Sequence, residues 1–101
     1  MELGGNITLS GFDDRDYAEL IVVKKIVGRY ARMMTDHHAG FERLSVSLRG
    51  GVKGSLFEIS SECRLDGRDV VAESSEQNLF VALDDALKRL LLKIEHSGTA
   101  S

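Results

Sequence analysis

A chain of 101 residues, 43% apolar and 29% charged, has the size and composition of one globular domain, 1–101, that closes a core without disulfide or metal staples. Its net charge of −3 argues against a protein built mainly for nucleic acid, and no apolar run approaches the roughly 18 residues of a membrane span. Met1–Ser10 has no basic-then-apolar leader, and the single cysteine, Cys63, has no intramolecular partner; a cytoplasmic protein is expected, with no membrane partner.

Asn6–Ser10 alternates, with Ile7 and Leu9 on one face, and predicts a first strand. A long helix follows over about Arg15–Met34, with Asp13 or Asp14 as its N-cap. Tyr17, Leu20, Ile21, Val23, Val27, Tyr30, Ala31 and Met34 form its apolar face, and Lys25, Arg29 and Arg32 a basic stripe. Gly28 inside it marks either a close approach or a weak point worth about 1 kcal/mol against Ala. Thr35–Gly40 reads as a polar break.

Phe41–Arg49 alternates, with Leu44, Val46 and Leu48 inward, and Gly50–Gly54 reads as a hairpin loop. Leu56–Leu65 is the next strand, with Phe57, Ile59, Cys63 and Leu65 inward; Asp66-Gly67 is a tight-turn signal, and Arg68–Glu73 a last short strand. A second helix is predicted from Ser74 to His96. Ser74 and Gln77 have capping-box spacing, Leu79, Leu83, Ala86, Leu87, Leu90 and Ile94 make an apolar stripe, and Ser97-Gly98 is the expected stop. Acids precede bases along it, as the macrodipole favours. The order βαβββα implies an α+β two-layer sandwich: a four-stranded sheet, two helices on one face, and a polar face left open.

No catalytic constellation emerges. Asp36-His37-His38 is too few diverging ligands for a metal site, and Cys63 falls at an inward strand position as a small core hydrophobe. Asp84 and Asp85 project about 100° apart, which rules out a carboxylate pair. Gly50-Gly51-Val52-Lys53-Gly54 lies between strands and opens no helix, so it is not a phosphate loop. Leu91, Leu92, Val81 and Val22 fall at or beyond the edges of the apolar stripes and mark either scattered exposed aliphatics or a protein-binding surface.

Over the run Leu56–Asp84 and the helix that continues it, the chain resembles the ribosome hibernation-promoting factor and ribosome-associated inhibitor family, short form. The residues that carry the likeness are the Asp66-Gly67 turn, then Asn78-Leu79-Phe80, Ala82-Leu83-Asp84, Lys88-Arg89-Leu90 and Lys93. The opening Asn6–Gly11 and a helix with Lys24, Lys25, Arg29 and Arg32 are similar too, and the order of elements agrees throughout. The chain departs in its acidic helix starts (Asp13, Asp14, Asp16, Glu19, Asp84, Asp85) and in an uncharged Ser97–Ser101 where a basic tail often follows.

The resemblance implies a non-enzymatic, cofactor-free protein that sits in the small ribosomal subunit across the messenger and transfer RNA channel and silences translation under stress or in stationary phase. The residues it implies for gripping ribosomal RNA phosphates are Lys24, Lys25, Arg29 and Arg32 on the first helix and Lys88, Arg89 and Lys93 on the second; such contacts read shape, not base sequence. With both helices on one sheet face, the two clusters are expected to merge into one basic surface. Taken without the resemblance, the same stripes are also what solvated helix faces look like. The alternative function is a small non-catalytic interaction module, homodimerisation included. A double-stranded RNA module fits less well, because it starts with a helix and carries a basic loop at its second helix.

Overall fold

The computed structural model describes residues 6–50 and 55–99, with side chains through residue 95. Its elements run β1 (Ile7–Ser10), α1 (Tyr17–His37), β2 (Phe41–Gly50), β3 (Phe57–Leu65), β4 (Arg68–Glu76) and α2 (Leu79–Thr99). The sheet order is β1-β2-β3-β4, with β1 parallel to β2 and the other pairs antiparallel. This is the expected α+β sandwich with both helices on one face. The β3–β4 turn places Asp66 and Gly67 at φ 53 and 78, the left-handed pair that a two-residue hairpin demands. The predicted glycine loop between β2 and β3 lies outside the described residues from 51 to 54.

The core forms where alternation on the strands meets the helical stripes. Leu9, Leu44, Val46, Ile59 and Cys63 point from the sheet into Val23, Val27 and Met34 of α1 and Leu83, Ala86, Leu87, Leu90 and Ile94 of α2, each at most 1% exposed. Burying one such leucine contributes about 2 kcal/mol. Ser61 and Ser74 are the buried polar residues among those described; Ser61 Oγ donates within reach of Ala72 O at 3.0 Å and Ala86 O at 3.2 Å, joining β3, β4 and α2.

Several boundaries differ from expectation. Asp13 and Asp14 do not cap α1; buried Phe12 anchors a turn in which Arg15 N–H donates to Phe12 O, so the chain enters the helix later. Asp16 is the N-cap, its Oδ1 accepting from Glu19 N at 2.8 Å. At the other end α1 runs past Met34 to His37, with Thr35 Oγ1 bonded to Ala31 O, and only His38–Gly40 breaks the chain.

The buried face of α1 is narrower than predicted. Ile21 lies two residues, or about 200°, from Val23, and is 40% exposed; Tyr17 is 79% exposed. The capping box at Ser74 and Gln77 does not form, because sheet pairing carries β4 to Glu76, where it pairs with Phe57. Asn78 caps α2 instead, its Oδ1 accepting from Phe80 N at 2.9 Å and Val81 N at 3.1 Å. The expected stop at Ser97-Gly98 is also overrun, since α2 continues to Thr99.

Candidate nucleic-acid interface

Lys25 stands two residues from both Val23 and Val27, Arg29 two from Val27 and Ala31, and Arg32 two from Met34. All those neighbours are buried, so the three cations project from the back of α1 into solvent. Lys24 follows Val23 directly and lies on the flank, about 120° round the helix from Tyr30. Among the described residues, Lys24, Lys25 and Arg29 have no ion pair, and Arg32 meets Asp36 only at 3.9 Å between side chains 85% and 63% exposed. Such a pair contributes well under about 1 kcal/mol and leaves the stripe net basic.

Tyr30 sets the seam between the helices. Its hydroxyl donates to Asp84 Oδ1 at 2.8 Å. Burial first, then that bond and the carboxylate charges, push the phenol up to about 12. Asp84 therefore faces α1. Asp85, 100° further round, faces the other way, where it accepts from Ser74 Oγ at 2.9 Å and pairs with Arg89 at 3.0 Å.

The α2 cations divide. Lys88 is exposed on the outer ridge between Val81, 51% exposed, and Leu92, 47% exposed. Arg89 Nη1 donates to Glu73 O at 2.8 Å and Lys93 Nζ to Val71 O at 2.6 Å, both on the edge strand β4. These two cations point away from α1. The single basic surface expected from the two clusters does not form; only Lys88 shares the outer face with the α1 stripe. A shallow depression of about 420 Å³ beside it is lined by Glu76, Phe80, Val81, Asp84, Asp85 and Lys88.

The open sheet face is polar, as expected. A groove of about 300 Å³ crosses it, floored by Ser47, Ser60 and Ser75 with Arg49, Glu58 and Glu73 around them. Arg64 on the same face is held between Glu42 at 3.9 Å and Asp69 at 3.6 Å. Cys63 is fully buried, and burial, with Asp69 and Glu62, pushes its thiol up to about 11, which suits a core residue and not a nucleophile. His37 ends α1 exposed, and His38 serves as C-cap through its backbone N–H to Met34 O. Sequence reasoning missed the Val71 and Glu73 carbonyls as acceptors. The signal for them in the sequence was arginine and lysine four apart on the helix that follows the strand; that the strand is an edge comes from the sheet order.

No family model and no curated protein matches the sequence. Solved structures match its fold. The ribosomal subunit interface protein from Coxiella burnetii superposes with a TM-score of 0.68 at 10% identity, covering 94% of this chain and 99% of that one. The Protein Y N-terminal domain from Thermus thermophilus superposes at 0.62 and 20% identity, covering 91% and 98% respectively. At these identities the likeness is one of fold. It spans nearly the whole of both chains, so no large insertion separates their architectures.

Proposed function

We propose that the chain is a ribosome-associated translation inhibitor that lies on small-subunit ribosomal RNA through the outer side of its helical layer. There it blocks the messenger and transfer RNA channel under stress or in stationary phase. The observation that carries this reading is the outward Lys25–Arg29–Arg32 stripe, flanked by Lys24 and joined by Lys88, on the fold of a ribosomal subunit interface protein and of Protein Y. Phosphates reached by such cations fix position and orientation without base readout. No catalytic step and no cofactor enter. Arg89 and Lys93 contribute less, because each must first leave a backbone carbonyl.

Co-sedimentation with ribosomes from a matched source tests it. Wild type is expected with the small subunit at low salt, and a Lys25→Glu/Arg29→Glu/Lys88→Glu variant at the top of the gradient. Four or five phosphate contacts predict a log–log salt slope of roughly −3 to −4. Absence of co-sedimentation at every salt concentration overturns the reading.

A second reading is favoured by Val81 and Leu92, exposed on the α2 ridge on either side of Lys88. They suit a protein partner whose binding survives raised salt and is lost in Val81→Ser/Leu92→Ser.

A further inference from the structure

The sheet has two edges, and they are not alike. β1 is four residues long, whereas β4 presents nine. A long unpaired edge is a template for strand addition. Val71 and Glu73 lie two apart and so direct their carbonyls the same way, off the ladder that β4 makes with β3. Both carbonyls are occupied, by Lys93 Nζ at 2.6 Å and Arg89 Nη1 at 2.8 Å. Arg89 is itself held by Asp85 at 3.0 Å, and Asp85 by Ser74 Oγ at 2.9 Å. The strand thus supplies, through Ser74, one anchor of the device that covers it.

The edge is also self-complementary. Antiparallel pairing with β4 of a second copy about Ala72 sets Val71 opposite Glu73, Asp69 opposite Ser75, and Arg68 opposite Glu76. Val71 and Glu73 then exchange N–H···O bonds between copies through the same carbonyls that Lys93 and Arg89 now hold. An arginine–glutamate pair closes each end, from side chains that are exposed in the single chain. The two-fold axis of this arrangement stands perpendicular to the sheet and puts both α2 helices on one face. Arg89 and Lys93 of the two copies are thereby brought together, charge against like charge. They oppose the pairing twice, by occupying its acceptors and by repulsion.

We propose that Arg89 and Lys93 are gatekeepers of the β4 edge, and that the partner this edge takes when they are withdrawn is a second copy of the chain in the register centred on Ala72. The mechanism does not depend on ribosome binding.

The test is an Arg89→Gln/Lys93→Met variant, followed by light scattering after size exclusion over a dilution series. Wild type is expected to stay monomeric where the variant dimerises, with association tightened about tenfold or more. Adding Arg68→Glu should undo the gain, and adding Glu76→Arg to that should restore it. Hydrogen exchange should slow at the Val71 and Glu73 amides in the dimer. Lys93→Met alone, which keeps the stem over the strand, should show a smaller shift of the same sign and serves if the double variant fails to fold. A folded variant that stays monomeric overturns the proposal. So does a dimer indifferent to Arg68→Glu, or one with unchanged exchange at Val71 and Glu73.

Discussion

The two helices are the same length, lie in one layer, and each carries a cation pair four residues apart: Lys25 and Arg29 on α1, Arg89 and Lys93 on α2. The pairs meet opposite fates. Those of α1 project straight out, because each sits two residues from a buried position. Those of α2 fold down, because that helix lies along a strand that has no further strand beside it among the described residues, and its outward carbonyls need donors. Helical spacing decides which cations travel together; the acceptors on the neighbouring element decide whether they remain available to a ligand. The helices differ in anchorage too. Among described residues α2 buries Leu83, Leu87, Leu90 and Ile94 completely, while the first turns of α1 leave Tyr17, Ile21 and Val22 in solvent.

The strongest way to break this contrast is by truncation. Leu87→Ala or Leu90→Ala in α2 is expected to cost about 3 kcal/mol in urea unfolding, since both side chains are fully buried. Ile21→Ala in α1, 40% exposed, should stay within about 0.5 kcal/mol. Equal costs would mean that the two helices are anchored alike.

Ser61→Ala comes next. It leaves the Ala72 and Ala86 carbonyls without the hydroxyl that ties α2 to the sheet, at about 1–2 kcal/mol.

The seam between the helices is probed by Tyr30→Phe, expected to cost about 1 kcal/mol through the lost bond to Asp84. It also has a pH signature. The folded phenol is raised from 10.0 to about 12, so its contribution is complete below pH 10 and is lost as pH rises through about 12. Cys63 adds a similar loss from 9.0 to about 11. The wild-type minus Tyr30→Phe difference in stability should therefore shrink between pH 10 and 12, with the Cys63 component cancelling. A difference that stays flat across that window would separate the phenol from the seam.

The smallest effect expected is a gain. Gly28→Ala on α1 should add about 0.5–1 kcal/mol, because a Cβ there meets no atom within 4 Å and the helix interior penalises glycine. A loss of stability would show that the half-buried flank of α1 at Gly28 is more constrained than its surroundings indicate.

Hydrophobic period alone determined the order of elements, the inward faces of β2 and β3 and the stripe of α2, because every core position there repeats at the spacing its element imposes. The Asp66-Gly67 turn was equally legible, being demanded by two left-handed residues. The family resemblance in the last third pointed to the fold that the superpositions bear out. Local signals failed where several side chains competed for one role. Asp13 or Asp14 was expected to cap α1, and the turn anchored by buried Phe12 moved the cap to Asp16; Ser74 has capping-box spacing, yet pairing with β3 kept it in a strand. For the candidate site, helical spacing picked out Lys25, Arg29 and Arg32 and the resemblance added Lys24, Lys88, Arg89 and Lys93; the tertiary structure divides them between solvent and the β4 carbonyls. Which of them face solvent depends on where the sheet ends, and a sheet edge is made by partners distant in sequence, which no local pattern encodes.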